Sequence, residues 1–171
     1  KYHLRVNEDR KFHELNQVNF SKSIPATKID NKLKGLKWIT PPFKDNVEEE
    51  INFIKDLKSQ IQTDKRKKMV ITHYSFISSI LDENFFSPSM AYTSDGSIIP
   101  LKNNKYSQKY KNLVINLIKK NNVDVIYIVY PVHKGSIADY LDKSCLKEKL
   151  ILKGVISYEI KRCKDLIGKN N

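Results

Sequence analysis

Two histidines, His73 and His133, each lie just beyond a short apolar run, the first after Met69-Val70-Ile71 and the second after Ile126-Tyr127-Ile128-Val129. Imidazole titrates near neutrality, so two such groups facing one another across a cleft can exchange a proton with a substrate or meet a phosphate. The plainer reading makes each a satisfied polar residue at a strand end. It is preferred, because neither histidine has a carboxylate or a cysteine at a fixed spacing. Asp95 is the only acid in the long stretch after Glu83, and Asp95-Gly96 is a turn pair. No catalytic set is assignable from these residues.

Other signatures of chemistry are missing. The chain has no Gly-rich phosphate loop, no paired CxxC and no HExxH or GxSxG pattern, and five glycines in 171 residues leave little material for a backbone cradle around a dinucleotide. Neither a cofactor nor a metal is expected. Cys145 and Cys163 are the only cysteines, with seventeen residues between them. In a reducing compartment they are isolated thiols; in an oxidising one they can tie the last strands together, a closure of about 3 kcal/mol in the chain-entropy picture.

The elements that would position these residues follow from periodicity. Tyr2, Leu4 and Val6 alternate as a short strand, and a meandering connector continues to Asp30. Asp30 caps a short helix over 31–34 with Gly35 at its end, and Leu36, Trp38 and Ile39 form a buried strand-like patch that places the single Trp in the core. Asn46 caps a helix whose apolar residues Val47, Ile51, Ile54, Leu57 and Ile61 recur at three- and four-residue spacing behind Glu48, Glu49 and Glu50. The basic run Lys65-Arg66-Lys67-Lys68 reads as a solvated turn into a buried strand at 69–72, and a helix starts near Phe76.

Residues 82–105 show no sustained period and form a long loop, a kind that is often functional. Tyr106, Tyr110, Leu113, Val114, Leu117 and Ile118 mark a further amphipathic helix, and 123–129 the most strongly buried strand. Ser136 caps a short helix through Leu141. The runs 150–152 and 155–160 give one or two final strands flanking Gly154, expected at an edge of the sheet.

The order strand, helix, loop, helix, strand implies a crossover and a parallel pair at the centre of the sheet. The expected fold is α/β over a single domain, 1–171: three-layer and Rossmann-like, with a mainly parallel central sheet, helices on both faces and one irregular long loop. In such sheets ligands bind beyond the carboxyl ends of the strands. The candidate ligand-binding residues are therefore Thr72, His73, Tyr74, Tyr130, His133 and Lys134.

A formal charge of +12 invites a nucleic-acid or anionic-membrane partner. The composition argues against nucleic acid. Only Arg5, Arg10, Arg66 and Arg162 are arginines, and the lysines are scattered over every segment of an Asn- and Ile-rich chain, as A/T-rich coding would also produce. Phosphate and base readers draw on the guanidinium fork.

Three stretches carry a resemblance: Arg5-Val6-Asn7-Glu8-Asp9-Arg10-Lys11-Phe12, Ile29-Asp30-Asn31-Lys32-Leu33-Lys34-Gly35-Leu36-Lys37-Trp38-Ile39-Thr40-Pro41 and Met69-Val70-Ile71-Thr72-His73-Tyr74-Ser75-Phe76-Ile77. They resemble the C-terminal soluble domain of large bacterial multi-spanning membrane proteins similar to C-type membrane glycosyltransferases, which use lipid-linked sugars. The resemblance implies that a transmembrane portion of the same chain precedes Lys1, as the missing initiator Met also suggests. It places the domain on the extracytoplasmic, periplasmic face; without it the expectation is cytoplasmic. It implies an accessory role in acceptor or lipid-phosphate binding, with lipid-linked sugar or anionic lipid headgroups as partners, an oxidised Cys145–Cys163 pair, and a catalytic acid in the membrane portion, outside this sequence. The alternatives are a stand-alone α/β enzyme or nucleotide-binding module working through strand-end loops, and a nonspecific nucleic-acid binder.

Overall fold

The computed structural model describes residues 20–39, 47–89, 99–100, 103–130, 132 and 140–161. The expected strand at 1–6, the Asn46 cap, the helix from Ser136, His133, Lys134 and Cys163 lie outside them, as does much of the 82–105 loop. The chain divides into two compact units, Lys1–Ile61 and Gln62–Asn171.

In the first unit a minimal antiparallel pair joins β1 (Ile24–Pro25) to β2 (Lys37–Trp38), with Ile24 opposite Trp38. Between them the Asp30 side chain accepts the Lys32 amide at 2.9 Å and caps a 3-10 turn at Asn31–Leu33. Gly35 then reverses the chain at φ +90°, a conformation that costs glycine little. The buried patch expected here does not form. Leu36 is 60% exposed, and Trp38 is only half-buried, its indole N–H donating to Glu50 at 2.9 Å. Two-residue strands offer too little surface to enclose an indole, so its polar edge is satisfied by a carboxylate instead.

Glu50 stands on α1 (Val47–Thr63), which carries three acids in its first turn and buries Ile51, Ile54, Leu57 and Ile61 along one stripe, as the spacing predicts. Lys58 of α1 makes an ion pair with Asp30, and its bond to that carboxylate, followed by the Lys32 amide bond, lowers the Asp30 pKa.

The second unit is built on a four-stranded sheet of β3 (Lys68–Ile71), β4 (Val125–Val129), β5 (Leu146–Leu152) and β6 (Val155–Ile160) in the order β3-β4-β6-β5. β3 and β4 are parallel, as the crossover argument requires, with Ile71 opposite Ile128. The other pairings, β4 with β6 and β6 with β5, are antiparallel. The mainly parallel, Rossmann-like sheet is therefore wrong: this is a small mixed sheet, mostly antiparallel, in which β3 lies at an edge and β6 inside.

The reason is the length of the last connection. Only Lys153 and Gly154 separate β5 from β6, enough for a hairpin and far short of the dozen residues that a parallel crossover needs. Gly154 takes φ +87° in that turn, and a register shift between Leu150 and Leu152 absorbs the extra residue.

One face of the sheet meets α3 (Ser107–Asn121). Met69 and Ile71, Ile126 and Ile128, and Tyr158 and Ile160 alternate onto that face and cluster with Val114, Ile115 and Ile118 of the helix. Lys67 and Asp124 fix where the parallel pair begins: the Asp124 amide donates to the Lys67 carbonyl at 2.8 Å, and the Lys67 amide to the Asp124 carboxylate at 3.2 Å.

The basic run before β3 is exposed at Lys65, Arg66 and Lys67, as expected of a solvated turn, but not at Lys68. Asp64 receives the Arg66 guanidinium through Nε at 2.9 Å and Nη2 at 2.8 Å, the Arg66 amide at 3.0 Å and the Tyr127 hydroxyl at 2.6 Å. Lys68 opens the strand with a side chain only 2% exposed. Its ammonium donates to the carbonyls of Asp64 at 2.5 Å and Arg66 at 3.2 Å, and pairs with Glu83 at 2.5 Å. A buried lysine is tolerated because its donors are matched by acceptors, one of them charged.

Candidate functional site

Beyond Ile71 the chain turns sharply. The Thr72 hydroxyl accepts the Tyr74 amide at 3.0 Å and the His73 carbonyl accepts the Ser75 amide at 3.0 Å, which stops the strand and launches the short helix α2 (Ile77–Leu81). Asp82 ends that helix in the left-handed region at φ 52°, where an Asp is tolerated better than most residues. The Glu83 amide returns to the Ser78 carbonyl at 3.1 Å, and the Asn84 side chain accepts the Phe86 amide at 3.0 Å, bending the chain back towards β3. Ser87 then donates its hydroxyl to the Val70 carbonyl at 2.5 Å and so occupies an acceptor on the strand's open edge.

Strand end, short helix and returning segment enclose an open cleft of about 400 Å³. Its lining residues include the hydroxyl-bearing Thr72, Ser75, Ser78, Ser79, Ser87 and Ser89, the carboxylate and amide residues Asp82, Glu83 and Asn84, and the aromatic Tyr74, Phe85 and Phe86. No Lys, Arg, His or Cys is among the described lining residues. Lys68 pairs with Glu83 from the buried end of β3, which holds the returning segment to the strand.

The candidate residues of the sequence divide here. Thr72 and Tyr74 line the cleft, both buried. His73 lies between them in sequence, and its ring leans against the Tyr74 ring, with centroids 3.7 Å apart and planes at 41°. It is not among the lining residues. Tyr130 closes β4 at the same end of the sheet, because β3 and β4 are parallel and in register, but it is 70% exposed and its amide donates to the Gly154 carbonyl at 2.7 Å, toward the hairpin rather than the cleft.

Sequence reasoning missed Ser78, Ser79, Asp82, Glu83, Asn84 and Ser87. The signal that could have found them is the density of hydroxyl side chains over 72–89, with Asp82, Glu83 and Asn84 in succession, directly after a strand end. Cys145 is buried in a 3-10 turn, Lys143–Cys145, and is disulfide-bonded; the only other cysteine of the sequence is Cys163.

Among the described residues no group of three or more His, Cys, Asp or Glu could hold a metal ion, and no helix is long and apolar enough to cross a membrane. Compared with protein-family models, with curated proteins and with solved structures, the chain matches none.

Proposed function

We propose that this chain is an accessory domain of a membrane-bound, glycosyltransferase-like protein and that its task is to hold a polyhydroxylated acceptor in the cleft at the end of β3. The observation that carries the reading is the chemistry of the lining. Hydroxyl, amide and carboxylate groups suit the alternating donors and acceptors of sugar hydroxyls, and the half-buried ring of Phe86 offers apolar surface to the C–H face of a pyranose. Of the two ligands that the family resemblance suggests, a lipid phosphate is the poorer fit. Asp82 and Glu83 contribute carboxylates, and no Lys or Arg among the described lining residues would neutralise a phosphate.

On this reading the domain binds and orients, and the bond-forming step belongs to residues outside it. The test is equilibrium binding of short, uncharged oligosaccharides by calorimetry, on the wild type and on Asp82→Asn and Tyr74→Ala. Saccharide binding weakened at least ten-fold by either substitution is expected; inorganic phosphate binding more tightly than every saccharide would overturn the reading. The extended reading frame supplies a second check. Transmembrane helices encoded upstream are expected, and a start codon close to Lys1 would remove the membrane assignment.

A further inference from the structure

The end of the sheet that bears the cleft also bears the β5–β6 turn. Val155 lies opposite Val129, so Lys153 and Gly154 stand beside the carboxyl end of β4, where the Tyr130 amide is bonded to the Gly154 carbonyl. Among the described residues around this tip the exposed side chains include two large apolar groups, two cations and the acid Glu148, whose carboxylate accepts the Tyr158 hydroxyl at 3.0 Å. Tyr130 and Leu150 are large and apolar and stand 70% and 68% exposed, while Lys149 and Lys153 are exposed cations. In the ladder Lys147 stands opposite Glu159 and Lys149 opposite Ser157.

Protection of an edge strand against self-pairing accounts for the lysines of β5. It does not account for Leu150, which leaves an apolar side chain exposed on the same strand, on the opposite face from Lys147 and Lys149. A leucine, a tyrosine and two lysines around one hairpin match the layering of a lipid surface, where rings and aliphatic groups enter the interface and ammonium groups meet headgroup phosphates. A nucleic acid would leave Leu150 unused, and the tip holds no Arg among the described residues.

We infer that the β5–β6 tip, with Tyr130, is a docking surface for an anionic membrane. It turns the strand ends, and with them the end of the sheet that carries Thr72 and Tyr74, toward the bilayer. This does not depend on which ligand the cleft takes, and it stands or falls separately.

The test is sedimentation of the 171-residue chain with vesicles of phosphatidylcholine alone or mixed with phosphatidylglycerol. Binding only to the anionic vesicles is expected. Lys149→Gln/Lys153→Gln together should weaken it roughly 25-fold, since each lysine near such a surface is worth about a five-fold change. Leu150→Asn should weaken it by about ten-fold with charge unchanged. The pair Lys55→Gln/Lys109→Gln removes the same charge from exposed helix positions elsewhere and should have less than a two-fold effect. Equal losses from both lysine pairs, no effect of Leu150→Asn, or equal retention by duplex DNA would overturn the inference and leave general charge as the cause. Both tip variants should keep the wild-type thermal transition, which separates lost docking from lost folding.

Discussion

Replacing Asp64 by Asn is the sharpest perturbation of the frame that holds β3. Asp64 receives the guanidinium and amide of Arg66 and the hydroxyl of Tyr127, and its side chain is only 11% exposed. Burial by itself would push this carboxyl up, but the bonds from Arg66 and Tyr127 outweigh it and hold the pKa at about 2, against an ordinary 3.8. The same bond, opposed by burial, keeps the Arg66 guanidinium charged, and burial followed by the bond to Asp64 raises the Tyr127 pKa. A folded-state pKa below the unfolded one contributes stability that is complete above the unfolded value and is lost as pH falls through the folded value. A difference of that size corresponds to about 2 kcal/mol at neutral pH, and it should be about half gone near pH 3.

Asp64→Asn keeps the shape and removes the charge. At pH 7 it should lower stability by about 2 kcal/mol, or roughly 4–8 °C in Tm for a chain of this length. Urea denaturation of both proteins between pH 7 and pH 3 provides the assay. The gap between them should be constant down to about pH 4 and then close, because the wild-type carboxyl becomes protonated. A gap that stays the same from pH 7 to pH 3, or one that is absent at pH 7, would refute the assignment of Asp64 as a charged anchor.

Three further outcomes follow from the packing. Lys68→Met leaves Glu83 without its buried partner and should cost about 3 kcal/mol, with amide hydrogen exchange accelerated first over 83–87, where that pair holds the cleft wall. Gly154→Ala places a Cβ at φ +87° in the hairpin turn and should cost about 1 kcal/mol in a thermal melt. Ile118→Ala empties a fully buried position between α3 and the sheet and should cost about 3 kcal/mol, whereas Leu113→Ala, exposed on the same helix, should change stability by less than about 0.5 kcal/mol.

What the sequence disclosed depended on how local the signal was. The stripe of Ile51, Ile54, Leu57 and Ile61 and the all-apolar run of β4 repeat within a single element, so α1, α3 and the parallel pair could be read directly. The hairpin was harder. Three of the seven residues of β5 are Lys147-Glu148-Lys149, an exposed stretch whose charges conceal its strand character, so only its last residues were recognised.

Lys68 looked like a solvated cation because its partner, Glu83, follows a whole helix later; no periodicity reports an ion pair at that separation. The cleft was half legible. The rule that ligands gather at strand ends found Thr72 and Tyr74, but the wall from Ser78 to Ser87 depends on two left-handed residues, Asp82 and Phe86, that fold the chain back on β3. Neither is a glycine, so nothing in composition marked the reversal.

The central claim is that this cleft receives an uncharged, polyhydroxylated ligand rather than a phosphate. Backbone amide shifts in an isotope-labelled sample, titrated in parallel with a neutral oligosaccharide and with inorganic phosphate, test it residue by residue. The account predicts saturable shifts at Thr72, Tyr74, Ser78, Asp82, Glu83 and Phe86 with the saccharide and none there with phosphate. Phosphate shifts at those amides, or saccharide shifts confined to other parts of the chain, would contradict it.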